Sequence, residues 1–246
     1  MSLVLTHARY QFLETVRVPI AVIGSAFFPA MAMLFFVVPF AGDNAVASTY
    51  ATGSMVIFAV MSACLFTYGI GVAEDRAQPW DPYLRTLPAG PVPRFTGRII
   101  TVMGLTLIAI IPVLVIAAVL TEATVTVPQL LLGLGAILVG SLPFTLMGLS
   151  IGYTFSSKAA IVIAQVVFFP TAVGGGLLTG DPAYAPEFIK IVSPYLPTRG
   201  AVELVWAATT DFTPNPLALI MLAVWVVVFA ALAVWAYRRD EGRRFT

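Results

Sequence analysis

Six stretches without a charged side chain constrain this chain more than any other feature: residues 18–41, 44–73, 99–121, 123–157, 159–180 and 212–237. Each is longer than the ~20 residues that a helix needs to cross a hydrocarbon core of about 30 Å. The stretches are apolar throughout and lack the alternation of a barrel strand, so they predict helices. We therefore predict an all-α integral membrane protein in which residues 1–246 form one transmembrane domain with six spans.

The composition excludes several other classes of protein. With 59% hydrophobic residues, 10% charged residues and a mean hydropathy of +0.96, too little polar surface remains to cover a soluble core. A net charge of +1 argues against a nucleic-acid partner. Cys64 and His7 are the sole cysteine and histidine, so the chain offers neither an internal disulfide nor a His/Cys metal site.

The basic residues predict the orientation, because Lys and Arg near the ends of spans stay in the cytoplasm. Two of the 13 basic residues, Lys190 and Arg199, fall on one side of the predicted spans. This distribution places both termini in the cytoplasm, in a multi-pass protein of the cell membrane. The residues on the cytoplasmic side are Arg9, Arg17, Arg76, Arg85, Arg94, Arg98, Lys158, Arg238, Arg239, Arg243 and Arg244.

Two segments outside the spans are expected to lie in the membrane interface. Residues 1–17 lack the apolar core of a secretory signal and are expected to be retained. Leu5, Ala8, Phe12 and Val16 share one arc of this segment, which predicts an amphipathic helix on the inner surface. On the outer side, residues 181–211 carry many large apolar side chains around two prolines. This pattern favours two amphipathic half-helices over a solvated loop.

The spans lack the groups that catalysis inside a membrane requires. They contain no Asp, Glu, Lys, Arg or His, and the chain has no phosphate-binding GxxxxGKS/T motif. We therefore expect no enzyme activity and no metal site in this chain. The uncharged polar side chains in the spans either pack between helices or line a path for a substrate. The candidates for a path are Ser62, Thr67, Tyr68, Gln165 and Thr171.

The segment 74–98 concentrates charge between the second and third spans, with seven charged residues and five of the 18 prolines. A short helix starting near Pro79 or Pro82 and ending at Pro88 presents Trp80, Tyr83 and Leu84 beside charged neighbours. An apolar centre with a charged rim is typical of a protein interface. A loop held at the lipid headgroups accounts for the arginines but less well for the aromatic cluster.

The order of these features resembles the ABC-2 type permease, the membrane half of many ATP-binding-cassette exporters. The similarity rests on the amphipathic start, six spans, Leu84, Arg85, Leu87 and Pro88 after the second span, and Gly97, Arg98 and Ile99 at the third. Residues 193–204, SPYLPTRGAVEL, are similar to the family's segment before the last span. The QPWDPY sequence departs from the commoner pattern, in which a helical stretch containing glycine occupies this place.

The resemblance implies partners and site residues. It implies a separate ABC ATPase in two copies, which would bind ATP and Mg, and a second permease subunit, identical or related. In that family a coupling helix between spans two and three docks into the ATPase, and the N-terminal helix lies against the same subunit. Carried over, the docking residues are Glu74, Asp75, Arg76, Trp80, Tyr83, Leu84 and Arg85, with Arg9, Phe12 and Arg17 as secondary contacts.

The resemblance predicts export of an amphipathic or hydrophobic compound, such as a drug, lipid or glycolipid. Uncharged spans disfavour a bare ion, because nothing in them would compensate its lost hydration. Phe66, Tyr68, Phe168 and Phe169 would suit a saccharide path, or they face lipid. A secondary transporter or channel without an ATPase and a membrane scaffold that transports nothing are the alternatives.

Overall fold

The structure is a computed structural model that describes residues 3–17, 19–79, 91–179 and 185–242, with the backbone alone at 19–25, 91–94 and 241–242. All regular structure in these ranges is helical. The α-helices are α1 (Leu3–Val16), α2 (Pro19–Ala32), α3 (Val38–Ala41), α4 (Ala45–Ser62), α5 (Ile70–Ala77), α6 (Pro91–Ala109), α7 (Ile111–Leu120), α8 (Val127–Thr154), α9 (Ser157–Gly174), α10 (Glu187–Val192), α11 (Pro197–Thr209) and α12 (Pro216–Gly242).

Five helical segments of the described chain are long and apolar enough to cross a membrane, which makes this an integral membrane protein. They correspond to the second to sixth predicted spans: Ala45–Ala77, Phe95–Leu120, Val127–Thr154, Ser157–Gly174 and Pro216–Asp240. The first predicted span forms α2, a π-helix at Met33–Val37 and α3. Its described apolar part, Ala26–Ala41, is shorter than the others, so the sixth crossing stays a prediction.

Three helices extend beyond the boundaries expected from charge. The second span continues through residues 74–77, and α12 continues past Tyr237 to Gly242. At the third span, α6 begins at Pro91 rather than at Ile99. Charged residues are expected to mark where a helix leaves the membrane, but the helix itself continues through them. The second span ends where Gln78 adopts an extended backbone (φ −73°, ψ 142°) before Pro79, since proline disfavours a helical residue before it.

The second span forms the centre of the bundle, with 78% of its apolar window buried, against 17% for Pro216–Asp240. Between α4 and α5 it widens into a π-helix, Ala63–Gly69, which packs against α8. Gly148 and Gly152, one turn apart on α8, permit this contact. A Cβ at Gly148 would overlap the carbonyl oxygen of Cys64, and one at Gly152 would overlap that of Gly69. The two backbones are therefore in direct contact.

The short helix α11 packs inside the bundle. A 3₁₀ turn at Ser193–Tyr195 separates it from α10, where the prolines predict a break. Most of α11 packs against α8, α12 and α4. Trp206 is fully buried, and its Nε1 donates a hydrogen bond to the Tyr50 carbonyl at 2.8 Å. The second of the two expected short helices is thus largely buried, and their location at the outer membrane interface stays a prediction.

The N-terminal helix α1 packs against the start of α6. The Thr101 hydroxyl donates to the Ala8 carbonyl at 3.0 Å, and a Cβ at Gly97 would lie 3.0 Å from the His7 Cβ. The expected apolar arc is divided between two environments: Ala8 is buried in this contact, whereas Leu5 and Val16 are exposed. A helix packed on a neighbour buries its small residues at the closest approach, wherever its apolar arc lies.

Candidate functional site

The ends of α5, α6, α8, α9 and α12 meet at one end of the bundle, which we call the basic end. The Ser157 hydroxyl on α9 donates to the Ala73 carbonyl on α5 at 3.2 Å, and the contacts described below tie in the other helices. The basic end borders both ends of the segment 80–90. It is named for Arg76, Arg98, Lys158, Arg238 and Arg239.

Arg76, on the last turn of α5, connects three of these helices. Its Nη1 donates to the carbonyls of Gly152 at 2.7 Å and Phe155 at 3.2 Å, at the C-terminal end of α8. Its Nη2 forms an ion pair with Asp240 on α12. The carbonyls at a helix C-terminus lack intrahelical partners and carry partial negative charge, so a guanidinium is well suited to them.

A second ion pair closes the other side of the same end. Arg98 on α6 pairs with Asp75 on α5 and hydrogen-bonds the Tyr153 side chain on α8. The Tyr153 ring lies 5.0 Å from that of Tyr237 on α12 and 6.3 Å from that of Phe95 on α6. The residues that flank the segment 80–90 are therefore anchored to α6, α8 and α12.

The predicted ATPase-docking residues fall into three groups. Glu74 and Asp75 are exposed on the last turn of α5, whereas Arg76 points into the bundle and contacts α8 and α12. These three residues thus belong to the end of the second span and not to a separate coupling helix. Their docking role stays a prediction. Trp80, Tyr83, Leu84 and Arg85 lie outside the described residues.

The predicted secondary contacts lie on α1 or directly after it. Arg9 and Arg17 are exposed, whereas Phe12 is half-buried, and its ring lies 3.9 Å from where a Cβ of Gly104 would be. Phe12 therefore helps hold α1 on α6, while the two arginines remain accessible to a partner.

The five predicted path residues do not form one surface. Ser62 is buried, Thr67 and Tyr68 are half-buried on the π-helix of the second span, and Gln165 is exposed. The Thr171 hydroxyl donates to the Val167 carbonyl at 2.6 Å and lies 3.6 Å from the Met61 sulfur. Thr171 thus joins α9 to α4 and also lines a groove of about 430 Å³ beside Trp225. The role of these five residues in a substrate path stays a prediction.

A cavity of about 790 Å³ lies near the opposite end, between α2, α3, α4 and α9. Its volume is in the range of cavities that bind drug-sized ligands. The lining has no charged side chain and includes five phenylalanines. It consists of Phe28, Ala32, Phe36, Val37, Phe40, Ala41, Ala47, Ala51, Met55, Phe58, Phe169, Leu177, Leu178 and Thr179.

Phenylalanine rings continue from this cavity into the bundle. Phe58 lies 5.9 Å from Phe28 in the cavity wall and 4.9 Å from the buried Phe168, which lies 5.0 Å from Phe66. The sequence analysis identified Phe66, Phe168 and Phe169 as candidates but did not identify the phenylalanines of the first span. The spacing of Phe28, Phe36 and Phe40 by eight and four residues, which puts them on one helical face, was the available signal.

A further ion pair, between Arg199 and Glu203 on α11, is largely buried at the end opposite the basic end. Arg199 Nε donates to Glu203 Oε1 at 2.5 Å, and Glu203 Oε2 accepts from the Asn215 backbone at 2.6 Å. The Arg199 guanidinium also lies 5.1 Å from the Trp206 ring centroid. All these partners fix α11 and the start of α12, so the group is structural.

Two comparisons relate this sequence to known proteins. The sequence model of a family described as ABC-2 family transporter protein matches residues 30–235. The putative transport permease YvfS of Bacillus subtilis (strain 168) is 22% identical over 189 residues, which cover 77% of this chain and 77% of that protein. Both similarities span most of the helical bundle.

Proposed function

Because this chain belongs to the ABC-2 family of transporter proteins, we propose that it is the permease subunit of an ATP-driven exporter in the cell membrane. The observation that carries the proposal is the family match over residues 30–235. A permease of this family is a membrane component that works with an ABC ATPase. In the proposed complex, two ATPase copies bind ATP and Mg, and a second permease subunit completes the membrane part.

We place the ATPase at the basic end. The helix ends there are held by ion pairs and aromatic contacts, so the bordering segment 80–90 starts and ends on a rigid base. As secondary contacts we propose the exposed Arg9 on α1 and Arg17 directly after it. The excess of basic residues at this end agrees with a cytoplasmic location, where an ATPase has access to ATP.

Replacing Leu84 with aspartate tests the docking. A charge at the centre of an apolar contact should weaken binding of the ATPase on the order of 30-fold. Co-purification from detergent with a co-expressed candidate ABC ATPase measures the effect, and Trp80→Ala should act in the same direction. The matched control is Phe188→Asp, since Phe188 is equally apolar and 60% exposed but lies on α10, away from the basic end. ATPase binding that survives both Trp80→Ala and Leu84→Asp would exclude these side chains from the interface.

For the substrate, we propose an uncharged hydrophobic or amphipathic compound that passes through the 790 Å³ cavity. A charged group there would lose its hydration without a compensating partner among the lining residues. Aromatic rings offer large contact areas to flat or aliphatic molecules. The rings of Phe58 and Phe168 extend such a surface towards the middle of the second span.

Filling the cavity tests this substrate class. Ala51 is 4% exposed in the cavity wall, so Ala51→Phe should reduce ATP-dependent accumulation of the uncharged dye Nile red in inside-out vesicles about tenfold. The control is Ala223→Phe, because Ala223 lies on the exposed face of α12. Equal accumulation in Ala51→Phe and the parent protein, or none in the parent, would contradict the proposed substrate.

A further inference from the structure

The four charged residues Arg76, Asp240, Asp75 and Arg98 form what we call the basal network. Its two ion pairs lie on either side of the last turn of α5. Arg76 faces α8 and α12, while Asp75 faces α6. The adjacent residues Asp75 and Arg76 thus hold the last turn of α5 to three other helices, α6, α8 and α12. The segment 80–90 begins three residues after this turn.

The burial of the Arg76–Asp240 pair argues for a positional role. Asp240 is 5% exposed and Arg76 is 19% exposed, although neighbouring positions such as Arg238 and Ala77 are exposed. A buried ion pair contributes little net stability, because desolvation offsets the attraction. It does fix geometry, since a charge that leaves its partner remains buried and uncompensated. The guanidinium also satisfies two α8 carbonyls that have no intrahelical partner.

The packing of the rest of the second span also indicates that the end of α5 is held in a fixed position. Above the basal network, the π-helix touches α8 backbone to backbone at Gly148 and Gly152, and the Val72 side chain of α5 packs against Gly152. Because no side chain separates the two backbones at these points, side-chain rearrangement cannot absorb a displacement of the π-helix, which continues directly into α5. The Arg76–Asp240 ion pair holds the last turn of α5 to α12 at the same level.

We propose that Arg76 and Asp240 are positioning residues that lock the ends of α5, α8 and α12 into one unit, so that a pull on the segment 80–90 moves all three helices together. This inference rests on the proposed function for the origin of the pull, but the lock itself is a property of this chain alone. Arg98 and Asp75 extend the unit to α6.

Asp240→Asn removes the charge but keeps the shape and an acceptor oxygen, so the variant should fold. Spin labels at Ala77 on α5 and Arg238 on α12, both exposed, report the lock in purified permease with Cys64 replaced by alanine. The parent should give one narrow distance distribution and Asp240→Asn a broad one. Asp240→Glu, which restores the charge, should return most of the narrow component. Equal widths in the parent and Asp240→Asn would overturn the proposal.

The second readout uses the complex with the ATPase. Asp240→Asn should co-purify with the ATPase as the parent does and hydrolyse ATP, but move on the order of 5-fold less Nile red per ATP. Loss of ATPase binding in Asp240→Asn would overturn the proposal by placing Asp240 in the docking contact, and unchanged transport per ATP would overturn it as well. If the parent binds no ATPase, the proposed function is wrong. The spin-label distances still show whether Asp240 holds α5 and α12 together.

Discussion

Replacing Gly148 with alanine should destabilise the protein by about 3 kcal/mol, at the upper end of the cost of overpacking. The added Cβ would overlap the carbonyl oxygen of Cys64, and this is a backbone atom that cannot turn aside. Either α8 or the π-helix of the second span must shift. Thermal unfolding in detergent, followed by size-exclusion chromatography, should show a melting temperature lower by roughly 6–12 °C.

Gly135→Ala on the same helix is the matched control. A Cβ at Gly135 meets nothing within 4 Å, and alanine has the higher helix propensity. This variant should be as stable as the parent or slightly more so. A Gly148→Ala protein that melts together with Gly135→Ala would show that the two backbones do not touch in the folded protein.

Trp206→Ala should cost about 3–5 kcal/mol, the usual range for removing a buried aromatic side chain. The indole is fully buried, donates to the Tyr50 carbonyl and meets the rings of Tyr50 at 5.4 Å and Phe212 at 5.3 Å. Its loss leaves a cavity where α11 meets α4, and it removes the ring beside Arg199. The same thermal assay should show a fall in melting temperature of roughly 6–20 °C.

Two variants separate the packing of Trp206 from its hydrogen bond. Trp206→Phe keeps an aromatic ring and should lose about 1 kcal/mol with the hydrogen bond. Trp235→Ala serves as the control, because Trp235 is 52% exposed on α12. If Trp206→Ala proved no worse than Trp235→Ala, α11 would have to lie at the periphery of the bundle.

The positions of the spans were predictable because they depend on local composition. Apolar runs longer than a bilayer is thick form helices whatever their neighbours are, and five of the six predicted runs are confirmed as helices of spanning length. The ends were predicted less well. Charge marks where a chain leaves the membrane, whereas Gln78 before Pro79, and Pro91 at a helix start, mark where the helices end and begin.

The candidate site was predicted in part, for a similar reason. The segment 74–98 stands out by its charges and prolines, but its sequence does not reveal that Arg76 pairs with Asp240, which is 164 residues away. The path residues were chosen for polarity. The 790 Å³ cavity is lined by phenylalanines from the first, second and fifth spans, and only the packing of these spans brings the rings together.

The sequence by itself determined that this chain is a helical membrane protein of the ABC-2 family, because hydropathy and the order of motifs are written along the chain. The tertiary structure decided what each polar residue contacts. It buried α11, placed Gly148 against the Cys64 carbonyl and turned Arg76 towards Asp240. Such contacts join residues far apart in sequence, and inside a bilayer hydropathy cannot distinguish a helix face that meets lipid from one that meets another helix.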